Sequence, residues 1–244
     1  MANIWTIARR EYNHYFISPI AYVFMFVVFL VLGIVFFLDI LFTSQSQQYS
    51  PFIQYIFQLF IFPLMFIGVP ALTMRSLSEE YRSGTLELLM TSPIKDWHLV
   101  VGKWFGTYLF LLTITVVTLI YPAILNSLVS PGIDLKSLAA NYIGIVLFLS
   151  AVCAIGVAIS SFFSNQIAAL LGTIGALIVF YLINGPARVM PGAGADILNY
   201  LSIPFHFDNF MSGIMRLDDI AFFVSLTVIT LVIGSAAVES RRWR

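Results

Sequence analysis

Long apolar runs separated by short polar tracts set the pattern of this chain. The first run follows Pro19, covers residues 20–38, and is closed by Asp39 and the polar tract 43–50. Further runs cover residues 52–74, 97–125, 138–163, 167–183 and 220–238. Each approaches the roughly 20 residues that an α-helix needs to cross hydrocarbon. The pattern predicts an all-α integral membrane protein with six transmembrane helices, forming one transmembrane domain over residues 1–244. The first run exceeds the apolar core of a signal peptide, about 7 to 15 residues, and no A-x-A site follows it, so it is expected to stay as an anchor. Ahead of it, Ile4, Ala8, Tyr12 and Tyr15 recur at helical spacing with Arg9 and Arg10 off their face, which predicts an interfacial helix over residues 1–19. Pro63 and Pro70 interrupt the second run and are expected to bend it.

The polar tract between the second and third runs, residues 76–93, differs from the others because it is itself patterned. Ser76 followed by Glu79 has the spacing of a capping box, so a helix is expected to start there. Leu77, Tyr81, Leu88 and Leu89 recur at three and four residues, while Glu79, Glu80, Arg82, Ser83 and Glu87 occupy the remaining circumference, with Thr85 between. This predicts a helix lying on the membrane with its charged side outward. Gly84 is expected to let a partner's backbone approach. Pro93 ends the helix, and Asp96 is expected to cap the next one.

Composition narrows the class. Hydrophobic residues make up 60% of the chain and charged residues 10%, against about 25% in a soluble domain, which excludes a soluble protein. The formal net charge is zero, so nothing points to nucleic acid, and only the placement of charge informs. Nine of the 12 Lys and Arg lie in the N-terminal segment, around residues 75–103 and at the C-terminus, while Lys136, Arg188 and Arg216 fall in the alternate loops. By the positive-inside rule both termini and the 76–93 tract are cytoplasmic. The segment 185–219 then lies outside. It is too apolar for a solvated loop and too often broken, by Pro204, Asp208 and Arg216, to span, which predicts an outer cap of short helices dipping into the interface.

Catalytic motifs are missing. No phosphate-binding G-x-x-x-x-G-K-[ST] loop occurs, since Gly102 and Lys103 are followed by Trp104, and there is no HExxH or GxSxG. The three histidines are far apart in sequence and read as interfacial, and lone Cys153 reads as a small buried hydrophobe. No Asp, Glu, Lys or Arg stands at the centre of a run, which weakens the case for a proton-coupled transporter. Gln54 and Gln58 share a face of the second run and are candidates to line a pathway or a helix contact. Ala168, Gly172 and Ala176, and Gly156 with Ser160, have the spacing of small-residue helix contacts within the subunit or between subunits.

The stretch from Glu79 to Leu89, with Ser92, Pro93, Ile94, Gly102 and Lys103, resembles the cytoplasmic signature of ATP-binding-cassette (ABC) permeases of the type 2 exporter family. Ala8 to Tyr12 with Ser18 and Pro19 is similar to that family's N-terminal interfacial helix, and His206 to Phe210 with Gly213 to its segment before the last span. Within the family, the compact gliding-motility and copper-processing permeases are the most similar subgroup. The resemblance implies a permease subunit of an exporter in the bacterial cytoplasmic (inner) membrane, paired with a second permease, identical or homologous. It also implies that a separate cytoplasmic ATPase dimer binds the ATP, the permease having no cofactor, metal or catalytic residue of its own. Residues 76–93 become the coupling helix, with Glu79, Glu80, Arg82, Ser83, Gly84, Thr85 and Glu87 facing the ATPase, and residues 185–219 become re-entrant outer helices. The alternatives are a secondary transporter or channel without an ATPase, and an intramembrane enzyme.

Overall fold

A computed structural model describes residues 2–46, 61, 64–84, 95–129, 132–187, 189 and 192–242. Among these residues every regular element is helical and there is no strand. Five stretches are long and apolar enough to cross a membrane: Ala21–Phe42, Asp96–Leu128, Leu135–Ser160, Gln166–Ala187 and Leu217–Ser240. They coincide with the first, third, fourth, fifth and sixth predicted spans. Of the second, Leu64–Gly68 forms a π turn and Val69–Thr73 an α-helix, while residues 52–60, including Gln54 and Gln58, lie outside the described residues.

Helix α1, Ala2–Ile17, is separated from α2, Pro19–Ser46, at Ser18. Of the two prolines expected to disturb the second span, Pro70, which has no N–H to return to the preceding turn, follows the π turn, and Pro63 lies outside the described residues. Gly68 within that turn abuts the first span, and a Cβ there would meet the Phe24 ring at 2.5 Å. The third span is α5, Asp96–Val117, continued by α6, Ile120–Leu128, with the short helices α3, Val69–Thr73, and α4, Ser78–Ser83, preceding it. Its break at Thr118 and Leu119 has a local cause. Pro122 lacks the donor for the Thr118 carbonyl, and Tyr121 takes that carbonyl at 3.1 Å instead. Asp96 is the first residue of α5 and not its cap, because Lys95 holds the extended N-cap position; the Asp96 carboxylate sits in the first turn, where the helix dipole favours it.

The fourth span, α7, Leu135–Ser160, is capped by Asp134, which accepts from the Lys136 N–H, and α8, Gln166–Leu182, by Asn165, which accepts from the Ile167 N–H at 2.8 Å. Helix α7 is the core of the bundle and is packed against the third, fifth and sixth spans. Residues 151–158 are all buried, Cys153 among them. A Cβ on Gly156 would collide with Thr73, and one on Gly172 would meet Phe163 at 3.0 Å and Ile159 at 3.2 Å, so both small-residue spacings serve contacts inside the subunit. The chain ends with α9, Asn184–Ala187, α10, Ala193–Tyr200, α11, Ile203–Met211, and the last span α12, Leu217–Arg242.

Candidate functional site

The ion pairs that tie the N-terminal helix to the spans gather at one end, around Lys103 in the first turns of α5. Two of that helix's glycines make the place possible. A Cβ on Gly102 would lie 2.8 Å from Ile7, and one on Gly106 would lie 2.8 Å from the Ala8 carbonyl and 2.6 Å from Glu11 Cβ. With hydrogen at both positions α1 lies directly on α5, bringing Ala8 and Tyr15 into the interior and Glu11 beside Lys103. The Tyr15 hydroxyl donates to the Leu72 carbonyl at 3.2 Å and lies 3.0 Å from the Thr107 hydroxyl, tying α1 to both the second and third spans; burial pushes its ionisation upward and keeps it a neutral donor.

Lys103 is 4% exposed. Its Nζ lies 2.9 Å from Glu80 Oε1 and 3.6 Å from Glu11 Oε2, and Arg10, largely exposed, reaches Glu80 Oε1 at 3.7 Å. Two cations and two carboxylates from three separate chain segments thus balance to zero. A buried ammonium is tolerated because two carboxylates surround it. The arrangement fastens α1, α4 and α5 to one another by charge.

This places Glu80 otherwise than the sequence reading, which turned it outward with Glu79 and Arg82. Glu80 stands three residues after Leu77, on its face, and Leu77 is completely buried among Leu99, Val100, Ala154, Val157, Leu231 and Val238. The apolar side of α4, expected on lipid, is seated in a notch between the third, fourth and sixth spans, and Tyr81 packs on the same cluster. The capping box is absent too. Backbone turns continue from α3 through residues 74–77, the Glu79 N–H already has the Arg75 carbonyl at 3.4 Å, and Ser76 is buried without a side-chain cap bond. Helix α4 stops at Gly84, whose φ of 70° is the left-handed conformation that glycine adopts at a helix end. Glu79, Arg82, Ser83 and Gly84 are exposed together on its outer side. Thr85 and Glu87 lie outside the described residues.

At the opposite end, α11 lies over the fourth span, with α10 beside it. Ile203, Phe207, Phe210 and Met211 are buried, and a Cβ on Gly144 would meet Phe210 at 2.5 Å. His206, read from sequence as interfacial, is 1% exposed. Its Nδ1 lies 2.6 Å from Asp219 Oδ1, its Nε2 2.9 Å from the Tyr200 carbonyl, and its ring stacks on Phe222 at 4.1 Å. Asn209 donates to the other Asp219 oxygen at 3.0 Å. These bonds join α10 and α11 to the start of α12.

A set of helices long and apolar enough to cross a membrane, with an ion cluster locking an N-terminal helix to the segment between the second and third spans, defines a multi-pass membrane protein. Residues 5–239 match the family described as ABC-2 family transporter protein, and the chain belongs to that family as a membrane permease. Permease subunits of this family are not catalytic themselves and generally pair with an ABC ATPase. No curated protein matches the chain.

Proposed function

We propose that residues 1–244 form a single six-span permease domain of an ABC exporter in a bacterial cytoplasmic membrane, pairing with a second permease and driven by a cytoplasmic ATPase dimer that binds and hydrolyses the ATP. Both termini and residues 76–93 face the cytoplasm in this reading, and residues 185–219 are re-entrant helices capping the outer side. The coupling residues divide into two groups. Glu79, Arg82, Ser83 and Gly84 on the exposed side of α4, with Thr85 and Glu87 beyond it, meet the ATPase. Glu80 instead hands the motion inward, to Lys103 on the third span and to α1. Gln54 and Gln58 of the second span line the pathway. The observation that carries the reading is the Lys103 cluster, because a push on α4 is delivered to a membrane span without an intervening flexible joint.

The test is charge reversal on the exposed side. Glu79→Arg with Arg82→Glu should insert normally and weaken copurification of the ATPase by at least tenfold, the range expected when interfacial charges become repulsive. Unchanged copurification and unchanged ATP-driven export, with Glu87→Arg equally silent, would sink the assignment of 76–93 as the coupling segment.

A further inference from the structure

Beneath the cap, where α8 ends and α11 crosses the fourth span, lies a cavity of about 320 Å³. This is at the lower end of the volumes that hold small-molecule ligands, about 300 to 1,000 Å³. Its deep wall is apolar, formed by the buried Phe148, Phe207 and Met65, and its polar lining is Asn184 and Asp208 with Tyr181. Among the described lining residues Asp208 alone carries charge.

Nothing described in the protein answers that charge. Asp208 enters no ion pair or side-chain hydrogen bond among the described residues. Among the described residues the nearby basic groups of the cap are engaged: the Arg216 guanidinium donates to both oxygens of Asp218, at 3.1 and 2.7 Å, and His206 has its two nitrogens on Asp219 and the Tyr200 carbonyl; Arg188 lies outside the described residues. Asp208 is exposed to solvent as a residue, and the shielding of part of its carboxyl by the cavity pushes its ionisation above the usual carboxylate range. Among the described residues the site thus holds no cation, and the aromatic residues Phe148 and Phe207 that line it with Asp208 suit one. An anion would find no positive group in the described lining. A fully hydrophilic amine would leave the apolar wall unused.

We propose that this cavity binds an amphiphile with an ammonium head and an apolar tail, the head on Asp208 and Asn184 and the tail along Phe207, Phe148 and Met65. The inference concerns binding at the end remote from Lys103, and it stands whether or not an ATPase docks on α4. A free alkylamine and an aminolipid headgroup share this chemistry.

The purified full chain in phosphatidylcholine nanodiscs is titrated with decylammonium, and with decanol, decyl sulfate and methylammonium as controls. Decylammonium should bind at least tenfold more tightly than decanol or methylammonium. Asp208→Asn should remove that advantage and Asp208→Glu keep it. Because binding requires the ionised carboxyl and burial raises it, acidification should abolish the advantage at a higher pH than for an ordinary carboxylate, near 4. Adding phosphatidylethanolamine to the nanodiscs should weaken decylammonium binding if the natural source is a membrane aminolipid, and leave it unchanged if it is a free amphiphile. Equal binding of decanol or decyl sulfate to the unmutated chain overturns the proposal without recourse to any variant, as does undiminished decylammonium binding to a folded Asp208→Asn protein. Methylammonium binding as tightly as decylammonium removes the tail from it.

Discussion

Replacing Lys103 by Met keeps the length of the side chain and deletes the charge at the centre of the ion cluster. The substitution leaves Glu11 and Glu80, whose side chains are 16% and 11% exposed, beside an uncharged neighbour. Arg10 does not compensate, since at 3.7 Å and 68% exposure it is an ordinary surface partner worth about 0 to 1 kcal/mol. Breaking a buried pair by removing one partner costs about 3 to 5 kcal/mol. At about 1.4 kcal/mol per factor of ten, the docked arrangement of α1 and α4 on α5 should become roughly a hundred to a few thousand times less favoured. Spin labels at Asn13 and Ser83 report this directly. Their distance distribution should be narrow in the parent and broad in Lys103→Met, with loss of ATP-driven export but continued association with the ATPase. Adding Glu11→Gln and Glu80→Gln removes the stranded charges, and a site whose buried members are all neutral, with only exposed Arg10 still charged, should recover most of the order, as neutral replacements of buried ion pairs often do. A Lys103→Met protein with an unbroadened distribution, or a triple variant no better ordered than the single one, would refute the argument that charge holds the three segments together.

Two further outcomes follow from the packing and the charge distribution. Gly106→Leu must displace the Ala8 carbonyl and Glu11 from a contact that admits no Cβ, and overpacking of about 1 to 3 kcal/mol should lower the thermal unfolding temperature and expose α1 to protease; an unchanged melting curve contradicts the close approach. In a background lacking Cys153, single cysteines at Ser46 and Gly192 should react with an impermeant reagent outside intact cells and one at Ser83 should not, so labelling of Ser83 would reverse the proposed orientation.

Much of the fold was legible because bilayer length is a strong filter. Five apolar runs became helices at the expected places. What the pattern misread was what each helix packs against. The face of Ile4, Ala8, Tyr12 and Tyr15 was recognised, but its partner is the third span and not lipid, because Gly102 and Gly106 clear a seat for it. That pair has the same four-residue spacing as the glycine and alanine pairs noticed elsewhere, and its signal was available. Glu80 was misplaced for a related reason: a carboxylate beside two exposed charges looks solvated until Lys103 is known to be buried next to it. Its spacing from Leu77 was the clue. His206 and Asp219 are 13 residues apart with a turn between, and no periodicity links them.

The order of the charges along the chain has a consequence for biogenesis. Glu11 and Glu80 both precede Lys103, so a ribosome delivers the two carboxylates well before the ammonium that neutralises them. Until the third span begins to enter, each carboxylate is costly to bury, and α1 and α4 are held at the water-exposed margin of the membrane. Arrival of Lys103, together with the glycine seat on the same helix, gives α1 its seat and α4 its charge partner, while the notch for Leu77 is completed only by the fourth and sixth spans. Insertion of the third span is therefore the event that begins the assembly of this end of the protein, and truncation before residue 103 should leave α1 and α4 without a place to dock.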